Sequence, residues 1–116
     1  MVGVGIDVVD VARFARVVEQ CPSVAARLLS EREMTARRPE SWAARFAAKE
    51  ALAKALGRPN GLRWHDAQVV TAADGRPSFE LTGTVAEAAQ RLGVHTCHLS
   101  LTHDAGVAVA LVVAES

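Results

Sequence analysis

The stretch ARFAAKEALAKALG, residues Ala44–Gly57, decides the fold. Alanine and leucine fill its middle, Ser41 stands where an N-cap belongs, and Gly57 stands where a helix stops. On a wheel of about 100° per residue, Trp42, Phe46, Leu52, Ala53 and Leu56 form one apolar arc. Ala44, Ala48, Ala51 and Ala55 form a second, smooth face that another backbone can approach closely. A helix that is apolar on nearly all sides is a buried helix, so this segment is expected at the centre of the molecule.

It nevertheless carries Arg45, Lys49, Glu50 and Lys54. Arg45 and Lys49 fall inside the large apolar arc and Glu50 at its edge, where an unpaired charge is costly. Glu50 and Lys54 make a favourable i,i+4 pair, whereas Arg45 and Lys49 are like charges at that spacing and invite an anion between them. An ordinary amphipathic helix with a salt-bridged edge is the plainer reading of the wheel alone.

Upstream, Val2–Val9 alternates as a strand. Val2, Val4, Ile6 and Val8 point one way; Gly3, Gly5 and Asp7 point the other. Glycines within a strand mark close approach by a ligand or a backbone. Packed on the alanine face of the central helix, they would bring Asp7 towards that helix.

Between these two elements, Asp10 caps a helix over Val11–Gln20 that is apolar at Val11, Phe14, Val17 and Val18 and exposes Arg13 and Arg16. Val24–Leu29 reads as helical. Ser30–Glu33 is a capping box for a short helix ending near Arg37–Arg38, and Pro39 breaks it. After the turn-rich Gly57–Gly61, Trp64–Ala73 reads as a strand, Asp74–Gly75 as a hairpin, and Pro77–Thr82 as the return strand. Thr84 and Glu87 form a second capping box for a helix to Leu92, stopped by Gly93. His95–Thr102 and Val107–Ala114 are strands joined at His103–Gly106; Cys97, Leu99 and Leu101 face inward, His98, Ser100 and Thr102 outward. The order β-α-α-α-β-β-α-β-β, rich in hairpins, predicts an α+β fold: a largely antiparallel sheet packed on a long central helix, in a single domain over 1–116.

Composition narrows the function. Aromatic residues make up 4% and tyrosine is absent, which argues against a base-stacking platform for nucleic acid. Residues 1–58 hold ten Lys or Arg against seven Asp or Glu, and residues 59–116 hold three against six, so the first half suits an acidic partner. Cys21 and Cys97 are too few for a disulfide framework and read as small buried hydrophobes. No signal peptide is visible, and Val107–Ala114 is far short of a membrane span, so a cytoplasmic location without membrane attachment is the expectation.

Gly3-x-Gly5 lies inside a strand and opens no helix, so it is no dinucleotide fingerprint. His95 and His98 face opposite ways on a strand, a weak zinc signal. Asp7 and Glu50 are different. Two carboxylates completed by water and phosphate oxygens suit Mg²⁺, and Lys54, Arg45 and Lys49 suit phosphates.

Together these residues resemble the small 4′-phosphopantetheinyl transferases, the holo-acyl-carrier-protein synthase family. Gly3–Val9 (GVGIDVV), Ala44–Ala51 (ARFAAKEA) and His98–His103 (HLSLTH) carry the likeness, with Asp74–Pro77 between the last two. The resemblance runs nearly end to end. It implies a Mg²⁺-dependent transfer of phosphopantetheine from coenzyme A to a serine of apo-acyl carrier protein, releasing adenosine 3′,5′-bisphosphate, in fatty acid or polyketide biosynthesis. By the same resemblance Asp7 and Glu50 hold the metal, and Lys54 neutralises phosphate charge. Arg45 and His103 contact phosphate with Thr102 nearby, and Gly75–Pro77 lie against the adenine. Arg13 and, more weakly, Arg16 anchor the carrier protein. The serine's base is Glu50, a metal-bound water, or His103 with Asp104. The family is typically a homotrimer with sites between chains. Two departures bear on the pantetheine arm and the carrier: Arg37–Ser41 is short, and Arg58-Pro59-Asn60 stands where smaller residues are common. The competing classes are a non-catalytic module for acidic proteins or nucleotides, which has no need of paired Asp7 and Glu50, and another Mg²⁺-dependent nucleotide-cleaving enzyme.

Overall fold

β1 (Gly3–Asp10) leads into α1 (Val11–Gln20), α2 (Pro22–Leu28), α3 (Glu31–Met34) and the long α4 (Pro39–Ala55). A 3₁₀ turn at Trp64–Asp66 precedes the hairpin of β2 (Ala67–Thr71) and β3 (Pro77–Leu81). Then come α5 (Gly83–Arg91), β4 (Thr96–Asp104) and β5 (Val107–Glu115). The structure, a computed structural model, describes residues 1–36 and 38–116.

β1, β5 and β4 form one antiparallel sheet in that order, and β2 pairs with β3 in a second. The expected α+β architecture holds; the four helical segments read before β2 are all present, one more than the order β-α-α-α-β-β-α-β-β counts. Leu29 is extended (φ −125°, ψ 138°) and separates α2 from α3. The Ser30 capping box is formed, and its helix ends at Met34; Arg37, at the expected end, lies outside the described residues.

α4 lies across the inner face of the three-stranded sheet, and small side chains are the reason it can. Ala110 and Ala114 of β5 are fully buried in one cluster with Ala47, Ala48 and Ala51 of α4, and Ala108 in another with Ala43 and Ala44. On β1 the approach is closer still: a β-carbon on Gly3 would stand 2.0 Å from the Ala55 carbonyl oxygen, and one on Gly5 1.9 Å from that of Ala51. The strand glycines therefore admit the helix backbone itself. On the opposite side of α4, Phe46 stacks on Phe14 of α1 at 5.0 Å and tilts against Trp64 at 5.4 Å.

The valine face of β1 has the opposite fate. Val4, Ile6 and Val8 are 52%, 57% and 59% exposed, because the sheet buries its glycine face and turns the larger residues outward. Leu111, paired with Ile6, is exposed beside them.

Several boundaries differ from expectation. Pro39 opens α4 instead of standing before it, since proline at the first turn removes no helix bond; Ser41 is an interior residue. Trp64–Asp66 forms a 3₁₀ turn, not the start of β2. α5 starts at Gly83, and its cap comes from outside the helix: Asp66 Oδ2 accepts from Thr84 N (2.8 Å) and Thr84 Oγ1 (2.7 Å), displacing the expected Thr84–Glu87 box. Cys21 is exposed at the α1–α2 junction, where the chain turns before Pro22; Cys97 is half-buried.

The glycine contact makes a direct prediction. Gly5→Ala would force β1 and α4 apart and is expected to destabilise the fold by at least about 3 kcal/mol. Gly57→Ala, strained only by its φ of 78° in open space, should lose about 1 kcal/mol. Urea denaturation of the two variants measures both; equal losses would contradict the close-approach account.

Candidate active site

The glycines of β1 set where its acid stands. Two residues beyond Gly5 on the same face, Asp7 meets α4. Lys54 Nζ donates to Asp7 Oδ1 at 3.1 Å and to the Ile6 carbonyl at 2.8 Å. Glu50 lies one turn before Lys54, and with Asp7 it walls a cavity of about 460 Å³ bordered by α1 and α2. Burial first, and then repulsion from Asp7, push the Glu50 carboxyl above its ordinary value; Arg58 and, less strongly, Lys54 pull it back. Two carboxylates compete for one place, which is the donor chemistry that a hard divalent cation relieves.

Arg45, Thr102 and His103 gather elsewhere. They line a cavity of about 170 Å³ together with Glu40, Ser41 and Thr71. Thr71 pairs with Pro77, so the β2–β3 hairpin, with exposed Gly75 at its tip, reaches the rim of this second cavity. Arg45 and Glu50 are five residues apart on α4, about 140° around the helix and about 7 Å along it. One chain thus presents two separate groups: Asp7, Glu50 and Lys54 on one face, and Arg45, Thr102, His103 and Pro77 on another. Among the described residues His103 makes no hydrogen bond with Asp104, whose Oδ1 accepts from Ala105 N at the turn (2.8 Å).

Lys49 corrects the sequence reading. Expected at a phosphate, it is instead sealed in the interior with Glu33, their side chains 1% and 0% exposed. Lys49 Nζ donates to Glu33 Oε1 (2.6 Å), the Leu28 carbonyl (2.8 Å) and the Trp64 carbonyl (3.0 Å). Glu33 also accepts from Ser30 N and Val69 N, both at 2.9 Å, and Arg45 Nη1 donates to the Glu33 backbone carbonyl. The anion that Arg45 and Lys49 invited is supplied by the chain itself. Burial pulls the Lys49 ammonium below its ordinary value, and the Glu33 carboxylate opposes that pull. Sequence reasoning assigned Glu33 to the capping box alone; the signal that points to it is Lys49 itself, a cation in an apolar arc that needs a buried carboxylate. Arg13 and Arg16 are exposed on α1 as expected, and Arg13 borders the cavity that holds Asp7 and Glu50.

Comparison with known proteins identifies the family. A profile of the 4′-phosphopantetheinyl transferase superfamily matches residues 3–112. The chain belongs to that family. It is 62% identical over 116 residues to a holo-[acyl-carrier-protein] synthase of Frankia alni, covering all of this chain and 98% of the relative. Its structure superposes on the holo-[acyl-carrier-protein] synthase of Helicobacter pylori in complex with coenzyme A with a TM-score of 0.84 at 31% identity, covering 97% of this chain and 99% of that one. The Neisseria meningitidis holo-[acyl-carrier-protein] synthase gives a TM-score of 0.86 at 29% identity over 100% of this chain and 99% of that one. Like its phosphopantetheinyl transferase relatives, the chain is an enzyme.

The raised Glu50 carboxyl makes a second prediction. The folded chain holds that proton above the ordinary value of 4.5, so the stabilising contribution is present in acid and lost as pH rises through the folded-state value. At pH 7 the ionised pair is a liability. Metal-free Glu50→Gln is therefore expected to melt higher than wild type at pH 7, with the gap closing as pH falls below 4.5. A variant that melts lower than wild type at pH 7 would contradict the crowded-carboxylate reading.

Proposed function

We propose that the two groups of residues are the halves of one active site, which moves the 4′-phosphopantetheine arm of coenzyme A onto a serine of apo-acyl carrier protein. The observation that carries this reading is the pairing of Asp7 with Glu50 beside Lys54 in a chain that belongs to the phosphopantetheinyl transferases. The donor set fits Mg²⁺, which takes one or two carboxylates and leaves its other positions to phosphate and water. Bound there, the ion would withdraw charge from the donor's pyrophosphate.

The residues of the chain supply the rest. The serine oxygen attacks the β-phosphorus, the bond from that phosphorus to the bridging oxygen breaks, and adenosine 3′,5′-bisphosphate leaves with the electron pair. Lys54, swinging from the Ile6 carbonyl, neutralises charge on the phosphates; Arg45 and His103 hold phosphate oxygens from the other half; Thr102 lies beside them, and Gly75 and Pro77 flank the adenine. The serine proton goes to Glu50 or to a water beside it. With little covalent chemistry for the protein to perform, positioning and charge neutralisation account for most of the rate. Lys49 takes no part, being committed to Glu33.

The halves meet if chains associate. The exposed stripe of Val4, Ile6, Val8 and Leu111 is a contiguous apolar sheet face of the kind that marks a protein interface. A homotrimer closed through that face fits both the stripe and the family resemblance, and it leaves α1 free on the outside. Arg13, and beside it Arg16, then meet the acidic carrier protein above the apolar floor of Phe14, Val17 and Val24.

Mass spectrometry of apo-acyl carrier protein incubated with coenzyme A, Mg²⁺ and the enzyme tests the reading: the carrier should gain one phosphopantetheinyl group. Glu50→Gln and Asp7→Asn are expected to abolish that gain with the fold intact, and Arg13→Glu to raise KM for the carrier but not for coenzyme A. Near-normal turnover by Glu50→Gln at ordinary Mg²⁺ would overturn the metal assignment.

A further inference from the structure

Arg58 stands in the Gly57–Gly61 connector, just beyond the C-terminus of α4. Its backbone is fixed. Arg58 N donates to the Ala53 carbonyl (2.7 Å) and Gly57 N to the Lys54 carbonyl (3.0 Å), the paired bonds that close a helix C-terminus when the residue after the cap is left-handed. Gly57 meets that requirement with φ 78°. Arg58 is left-handed as well, with φ 53°, a conformation that any residue with a β-carbon resists. The only other such residue among those described is Ala105, in the β4–β5 turn.

The strained backbone sends this side chain to a particular place. Arg58 lines a cavity of about 330 Å³ whose wall includes Glu50 and whose floor is apolar at Leu52, Leu62 and Trp64. Glu50 is shared between this cavity and the one it walls with Asp7; Arg58 lines only the first and Asp7 only the second. Among the described residues the guanidinium makes no hydrogen bond or ion pair within the chain. Arg63 lines the same cavity but lies beside Asp66, whose carboxyl it helps to hold down. Lys54, the other cation next to Glu50, is bound to Asp7 and to a carbonyl. Arg58 lines the same cavity as Glu50 and is exposed and uncommitted.

An uncommitted guanidinium held by a strained turn beside a carboxylate pair is suited to an anion that arrives with the substrate. A guanidinium grips a phosphate with two parallel hydrogen bonds, which an ammonium cannot do. We propose that Arg58 is a substrate-binding residue of this enzyme, gripping the pyrophosphate of coenzyme A from the connector side of Glu50. This rests on the reading that the pyrophosphate lies at Asp7 and Glu50. The expected consequence is a donor-specific contribution to binding that enzymes with a small residue at this position would lack.

Isothermal titration of the full-length enzyme with coenzyme A in Mg²⁺, without carrier protein, reads the contact directly. Arg58→Gln is expected to weaken binding about tenfold, the loss of one charge-assisted contact, and Arg58→Lys to recover part of it. Arg58→Gly should show the same loss while its Tm stays equal or rises, because glycine relieves the strained turn; the binding loss is then not a loss of fold. KM for the carrier should not move. Repeating the titration with 3′-dephospho-coenzyme A separates the phosphates: an unchanged tenfold effect supports the pyrophosphate, and an effect that vanishes assigns Arg58 to the 3′-phosphate and overturns the proposal. Unaltered coenzyme A affinity in Arg58→Gln also overturns it. Glu50→Gln, assayed in parallel, reports on the underlying site independently: its retained turnover would remove that site, whereas its collapse beside a normal Arg58→Gln would remove only this proposal.

Discussion

The contact on which the rest depends is between backbones. Gly3 and Gly5 leave β1 bare, and the carbonyl oxygens of Ala55 and Ala51 occupy the space where their β-carbons would be. No pair of larger residues can bring a strand and a helix this close. The consequence at Asp7 is chemical. A carboxylate that would otherwise point into a helix–sheet gap is pressed against α4, within reach of Lys54, where its repulsion adds to the burial that raises the Glu50 carboxyl. The same packing turns Val4, Ile6 and Val8 outward, so one constraint forms both the acid pair and an apolar face on the other side of the sheet.

A second constraint fixes the rotation of α4. Lys49 and Glu50 are neighbours in sequence with opposite fates. Lys49 is drawn inward to Glu33 and to the Leu28 and Trp64 carbonyls, tying α2, α3 and the 3₁₀ turn to α4. Taking two charges out of water offsets most of their attraction, so such a pair contributes less to stability than to choosing one arrangement over others. Here the network is satisfied on every side: each Glu33 oxygen accepts a backbone N–H, and the ammonium has three acceptors. With Lys49 held inside, Glu50 must face the cavities and Arg45 must face β4.

Much of this was legible in the sequence, for identifiable reasons. The alternation of Val2–Val9, the cap at Asp10, the Ser30–Glu33 box, the Asp74–Gly75 hairpin and the stop at Gly57 are local signals, and each is where the sequence predicts it. The alanine face of α4 and the glycines of β1 foretold their contact because only one fold feature uses both. The misses at buried or capping groups are long-range. The partner of Lys49 lies 16 residues away, and the cap of α5 comes from Asp66, 18 residues before Thr84. Pro39 reads as a breaker and serves as a helix start, a distinction that depends on the extended conformation of Arg38. Alternation alone does not say which face of β1 meets the helix, since period two reports two faces; the glycines do. At the site, the Asp7–Glu50 pairing followed from that contact, whereas its separation from Arg45 and His103 needed the whole sheet.

That separation underlies the proposed assembly: one chain carries both groups of residues, and in the proposed trimer a working site would join the Glu50 half of one subunit to the His103 half of its neighbour. Subunit complementation measures it most directly. Glu50→Gln and His103→Ala, each inactive alone, are unfolded together in equal amounts, refolded and assayed for carrier modification. Random assembly pairs two intact halves at one interface in four, so the mixture should regain about one quarter of the wild-type rate. A refolded mixture of proven hetero-oligomers that stays as inactive as its components would place Glu50 and His103 in the same chain's site and contradict the account.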